Sequence, residues 1–307
     1  MNLFEQINIG EEKLHPKFLI LKNQMIFGER QIINDWIKEF VDRDNKIVKE
    51  FQTTFHSSFW EFYLNALFKE AGFSIDYSKN RPDFIITSPT PFYVEAVVSN
   101  IKKQGITEDQ RTYDDLFQNI TSFYLRENFE NQLYEAITRY SLSINEKKKK
   151  YEEKYSKLEY VNKDLPFVIA LSGYEQISYG NNFVFPLMAL LYGRVYDNKT
   201  NTYHDKDTIP KPNTNSKIPI GLFLKEEYSN ISAIIFSCTI TLGKLTSLAI
   251  SHGYFNPNGV ITIRQDNEFP TYKIQEVSKE TPEYLSDGVF IFHNPLAKNP
   301  LDKNLFA

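Results

Sequence analysis

The run Phe92-Tyr93-Val94-Glu95-Ala96-Val97-Val98 is a strand sequence with one acid in its middle. Aromatic and β-branched residues favour the pleated conformation, and the near-continuous apolar character belongs to a strand inside a sheet. A carboxylate is costly there unless something pairs with it, so a fold built around this run must bring Glu95 a partner. Side chains alternate along a strand, which puts Glu95 and Val97 on one face and Val94 and Ala96 on the other. Just upstream, Arg81-Pro82-Asp83-Phe84-Ile85-Ile86 reads as a neighbouring strand, with Ser88-Pro89-Thr90-Pro91 as the turn between them. Strands joined this way lie side by side, and Asp83 then approaches Glu95 across the ladder.

The flanking segments extend the pattern. Residues 52–70 carry Phe55, Phe59, Phe62 and Ala66 at helical spacing, and Gly72 follows as a stop signal. Glu61 lies on this expected helix, amid Phe59, Trp60, Phe62 and Tyr63; on its own it also reads as a solvated position. Residues 73–77 form a first short strand, ahead of 83–86 and 93–98. A long helical pattern over 113–155 carries Leu116, Ile120, Phe129, Leu133, Ile137, Tyr140 and Ile144. Continued in steps of three or four, its apolar face reaches Lys147 and then Tyr151, with Lys150 three positions beyond Lys147. A lysine thus turns inward where the stripe calls for a hydrophobe. The same lysines belong to the run Lys147-Lys148-Lys149-Lys150, whose plainer reading is a solvated helix surface balanced by Glu152 and Glu153. Residues 166–171 supply a further buried strand.

In this order of elements, Pro82-Asp83 followed by Glu95 resembles the signature of the PD-(D/E)xK, or restriction-endonuclease-like, nucleases. That signature is Pro-Asp, a spacer, then an acid, any residue and a lysine. Here the lysine slot holds Val97, which marks a divergent member. The resemblance covers roughly half the chain and implies an α/β fold. Its expected core is helix, three strands, helix, strand, with a central mixed sheet flanked by helices and a C-terminal α/β extension. It also implies Mg²⁺ or Mn²⁺ held by Asp83 and Glu95, with Glu61 and the carbonyl of Ala96 completing the shell. The activity it implies is hydrolysis of phosphodiester bonds in nucleic acid, DNA first, in restriction, defence or repair. Lys147, with Lys150 second, is the candidate to take over the role of the missing lysine. A homodimer is the acting form that cutting two strands would call for, although no heptad pattern is visible. The alternative is a binding module for nucleic acid or protein on the same fold, its activity lost with the lysine.

Composition is compatible with this expectation. The chain has 307 residues, 41% of them hydrophobic and 15% aromatic, enough for a substantial core. Its formal net charge of −4 argues against a general nucleic-acid coat protein, but local basic patches can serve an enzyme of acidic balance. A single cysteine, Cys238, rules out an internal disulfide and a cysteine-based zinc cluster and fits a reducing cytoplasm. The start of the sequence lacks the pattern of a signal peptide, and the most apolar piece, 183–192, is too short to cross a bilayer. Gly243-Lys244 lacks the earlier glycine of a phosphate-binding loop, since Cys238 stands five positions before Gly243. No Gly-x-Ser-x-Gly elbow occurs, and the five histidines have no consistent ligand spacing.

The expected organisation is an N-terminal elaboration over 1–50, a nuclease-like core over 51–175, and an extension of the same domain or a small lobe over 176–307. Residues 196–217, rich in Asn, Thr, Asp, Lys and Pro, read as an exposed loop. Residues 218–224 and 231–239 read as additional strands.

Overall fold

The three apolar runs of the 73–98 segment fold as an antiparallel meander of β1 (Ser74–Asp76), β2 (Phe84–Ser88) and β3 (Phe92–Asn100). Beside β3 lies β4 (Phe167–Tyr174), parallel to it, and then β5 (Ala233–Ser237), parallel to β4. The last strand, β6 (Phe290–His293), returns antiparallel to β5. The result is a mixed six-stranded sheet in the order β1-β2-β3-β4-β5-β6. Every residue of β4 and β5 is buried, as their unbroken apolar sequences require. The parallel β3–β4 crossover contains helix Phe129–Glu153, as parallel neighbours demand a long connection.

The computed structural model describes residues 1–23, 26–101, 110, 112, 114, 126–174, 183–265 and 272–306. These fall into two units, Phe73–Cys238 with Val289–Ala307, and Met1–Gly72 with Thr239–Gly288. This division cuts across the expected segments 1–50, 51–175 and 176–307, because the chain leaves the sheet after β5 and rejoins it at β6.

In the sheet unit, helix Phe129–Glu153 packs on β3 and β4. Its buried stripe of Leu133, Ile137, Tyr140 and Ile144 shares one core with Tyr93, Ile169, Leu171 and Phe236 from the sheet. The apolar helix Phe185–Tyr192 packs against the long helix and adds Leu187, Leu190 and Leu191 to that core. The expected start of the long helix near Tyr113, with Leu116 and Ile120, lies outside the described residues.

Residues 196–217 are not an irregular loop. Two antiparallel ribbons occur there, Arg194–Asp197 with Thr202–Asp205 and Thr208–Pro210 with Lys217–Pro219. They are largely exposed, and each is pinned by a buried residue, Tyr196 stacked on Phe185 and Ile209 in the core. The strand expected over 218–224 is likewise shorter, giving way after Pro219 to a 3₁₀ turn at Leu222–Leu224.

The other unit is mainly helical. Helices Pro16–Lys22, Phe27–Trp36, Ile47–Thr53 and His56–Glu70 combine with helix Leu242–Ser251 and the hairpin Ile261–Gln265/Tyr272–Glu276. The single helix expected over 52–70 is broken at Phe55, which has a positive φ of 45°. Ring packing holds Phe55 there, between Phe51 and Phe59, with ring centroids 5.1 and 5.0 Å away. Helices Phe27–Trp36 and Leu242–Ser251 pack together. Gly28 lies so close to this contact that a Cβ would stand 2.7 Å from the Cβ of Tyr254. No helix among the described residues is long and apolar enough to cross a membrane.

Candidate active site

Pairing of Phe84 with Val94 and of Ile85 with Tyr93 sets the register between β2 and β3. Asp83, immediately before β2, thereby stands opposite Glu95, on the sheet face that helix Phe129–Glu153 covers. The Asp83 carboxylate is held by the backbone, accepting the Ala96 N–H at Oδ2 over 2.8 Å. Ala96 enters the site through this N–H, where the sequence pointed to its carbonyl.

Glu95 is fully buried, with 0% exposure, and its partners come from the helix. Lys147 Nζ and Lys150 Nζ each donate to Glu95 Oε1 over 2.9 Å. Tyr155, just past the helix end in a 3₁₀ turn, donates its hydroxyl to the same oxygen over 3.0 Å. Lys147 sits on the apolar stripe between Ile144 and Tyr151, its stem packed along the helix face and its ammonium turned to the acid. Stacking of Tyr151 on Phe167, with centroids 4.1 Å apart, fixes this end of the helix against β4. The plain reading of the lysine run holds for Lys149, which is exposed and pairs with Glu153, while Lys148 is mostly covered, pairing with Glu152 with its ammonium over the Tyr228 ring.

The two oxygens of Glu95 are in opposite circumstances. Among the described residues, Oε1 receives three donors, whereas Oε2 is buried with no hydrogen-bond partner. A buried anionic oxygen left bare is expensive. Burial raises the Glu95 pKa, but the charges and hydrogen bonds of Lys147 and Lys150 outweigh it, and the carboxyl sits below its ordinary value. Asp83 goes the other way. Although part of the residue reaches solvent, poor solvation of its carboxyl and then the neighbouring Glu95 charge push its pKa up to about 7, against the pull of Lys147, the Ala96 N–H and Lys150. Burial, followed by the Glu95 and Asp83 charges, raises the Tyr155 hydroxyl well above its ordinary value, so it stays a donor.

This set fits a hard divalent cation. Two carboxylates face one another and one buried oxygen has no partner among the described residues, which is oxygen chemistry of the kind Mg²⁺ or Mn²⁺ takes, with much of the shell left to water or substrate. No group of three or more His, Cys, Asp or Glu side chains placed to hold a metal occurs among the described residues. Glu61, expected as a third ligand, is half-buried on helix His56–Glu70 of the other unit. Val97, in the position where the resembled motif carries a lysine, shares the Glu95 face and packs against the apolar core.

Tyr155 is the member that the sequence argument missed. The signal was present, since Tyr155 continues the Lys147–Tyr151 stripe by four more residues, but the helix ends at Glu153 and only the following turn carries the hydroxyl inward. Lys244 of the Gly-Lys pair is spoken for within the helical unit by Glu283 Oε1, the Tyr284 carbonyl and the Asp287 carbonyl. Among known proteins no family model, no curated protein and no solved structure matches this chain.

Proposed function

We propose that the chain is a metal-dependent nuclease that hydrolyses phosphodiester bonds of nucleic acid, with DNA as the first substrate to test. The observation that carries this reading is Glu95: a fully buried carboxylate with one oxygen held by two lysines and a tyrosine, and the other bare beside Asp83. A bare anionic oxygen is costly to a purely structural ion cluster. Glu29 in the helical unit also has one, but the donors on its other oxygen, Thr246 and Asn256, are neutral, whereas Glu95 combines the bare oxygen with two lysines and a neighbouring carboxylate. Within the sheet unit, the order of three antiparallel strands, a helix and a parallel strand supports assignment to a restriction-endonuclease-like core, although the helix before the strands, His56–Glu70, belongs to the other unit.

In this reading Asp83 and Glu95 would hold Mg²⁺ or Mn²⁺, with the Ala96 N–H fixing the Asp83 carboxylate. The ion, when bound, supplies positive charge to the scissile phosphate and lowers the pKa of a coordinated water. The protein residues do the rest. Lys147 and Tyr155 fix Glu95 Oε1 and so orient the carboxylate. Asp83 gives up the proton that its raised pKa lets it keep near neutrality. Lysine ammonium groups offset charge developing on the phosphate, the task Val97 cannot perform from the strand. The lysine arrives from the helix, so the motif's chemistry survives the loss of its usual position.

The direct test is incubation of the purified chain with plasmid, single-stranded DNA and RNA, each with Mg²⁺, Mn²⁺ or EDTA. Cleavage that needs the metal and disappears in Asp83→Ala and Glu95→Ala is the expected result. Wild-type rates in both variants would remove these residues from catalysis. Absence of metal binding altogether would favour the binding-module alternative.

A further inference from the structure

Three donors crowd onto Glu95 Oε1, although a carboxylate oxygen offers about two lone-pair sites. One of the three is therefore the easiest to remove. Tyr155 is neutral and buried. Lys147 is 14% exposed and lies on the buried stripe of the helix, with Ile144 and Tyr151 on either side. Lys150 is different: its side chain is 35% exposed and stands in the helix's last turn. Its ammonium lies over the Tyr155 ring, 5.2 Å from the centroid, an edge from which it can swing to solvent without opening the core.

Resting on the nuclease reading above, we propose that Lys150 is an exchangeable counter-ion: it neutralises Glu95 in the metal-free protein, leaves when a divalent cation is bound, and then becomes the group that receives the substrate phosphate. Coulomb repulsion drives the exchange. A divalent charge beside Glu95 opposes two ammonium groups already within hydrogen-bond distance of the same carboxylate, and only one of them has a short path to water. Lys147 remains on Oε1 with Tyr155 and keeps the carboxylate oriented. The site thus exposes its phosphate-binding charge only when the metal is in place, which links substrate capture to readiness for cleavage.

The exchange makes an unusual forecast: removing Lys150 should strengthen metal binding. We would titrate Mg²⁺ calorimetrically into wild-type, Lys150→Gln and Lys147→Gln protein at low ionic strength without nucleic acid. Lys150→Gln should bind Mg²⁺ tighter by roughly fivefold or more, the size of an ordinary coupling between sites, and by more than Lys147→Gln, which relieves the same repulsion but also loses an anchor that orients the carboxylate. A lysine that only contacts phosphate would leave the affinity unchanged. In parallel, acetic anhydride labelling of the wild-type chain, read by mass spectrometry, should show Lys150 becoming more reactive on Mg²⁺ addition and Lys147 staying protected. This second measurement stands even if a variant folds poorly. Wild-type Mg²⁺ binding with no tightening in Lys150→Gln and no gain in Lys150 labelling would overturn the exchange and leave the metal site intact. Equal gains at Lys147 and Lys150 would overturn it too. Failure of the wild-type chain to bind Mg²⁺ or Mn²⁺ at all would remove the nuclease reading and the exchange together.

Discussion

Lys147 and Glu95 meet at 2.9 Å although 52 residues separate them, one projecting from the apolar face of a helix and the other from the middle of a buried strand. Each residue is out of place in its own element, and each accounts for the other. The lysine lets the strand carry an acid, and the acid gives the helix a reason to turn a lysine inward.

Removal of the two site carboxylates should have opposite effects on stability. Asp83→Asn relieves repulsion with Glu95 and keeps an acceptor for the Ala96 N–H, so in EDTA near neutral pH the variant should be as stable as the wild type or more so. Glu95→Ala strands two ammonium groups and the Tyr155 hydroxyl, at a cost of about 1–3 kcal/mol. Urea denaturation of both variants checks this, and a stabilised Glu95→Ala would contradict the pairing seen here.

The raised Asp83 pKa fixes the direction of a pH dependence. The folded chain holds this proton more tightly than the unfolded chain, whose carboxyl has the ordinary value of 3.8. Its contribution is therefore fully present below 3.8, declines as pH rises and is lost above about 7. The difference in unfolding free energy between wild type and Asp83→Asn, measured without divalent ions, should fall across that window and flatten above it. A flat difference throughout would mean that Asp83 titrates normally.

Tyr155→Phe keeps the ring and removes one of three donors to Glu95 Oε1. With both lysines still in place, the loss of stability should be near the low end for such bonds, about 1 kcal/mol. The larger effect should fall on metal affinity, because the hydroxyl helps fix the carboxylate whose second oxygen is bare. Titration of Mg²⁺ or Mn²⁺ into the variant should give weaker binding than wild type; an unchanged affinity would make Tyr155 a packing residue.

Val97→Lys would complete the resembled Pro-Asp/acid-x-Lys pattern in sequence and should not complete it in space. Val97 packs on the core, on the face where Lys147 and Lys150 already reach Glu95. A third ammonium there adds repulsion, and we expect a loss of about 1–3 kcal/mol by thermal or urea unfolding. Full stability with faster cleavage would show that the strand position was open after all.

Local periodicity determined a good deal of this protein. The two-residue alternation of β3 puts Glu95 and Val97 together on one face, and the turn after β2 brings Asp83 opposite. The three-to-four-residue stripe of Leu133, Ile137, Tyr140 and Ile144 carries on to Lys147. These are consequences of strand and helix geometry and need no knowledge of distant contacts.

Other features exist only in the assembled chain. That Lys147, Lys150 and Tyr155 converge on a single oxygen, while Oε2 is left bare, depends on how helix Phe129–Glu153 is rotated and seated on β3 and β4. The exposed ribbons between Arg194 and Pro219 have polar, proline-bearing sequences with little apolar alternation, so one-dimensional pattern reads them as loop. The departure of Thr239–Gly288 to the helical unit joins it to Met1–Gly72, and the return of β6 pairs Phe290 with Phe236 across that excursion; both join segments distant in sequence. Side-chain period is a property of neighbours along the chain, whereas partners, bare atoms and unit boundaries are set by which surfaces finally exclude water together.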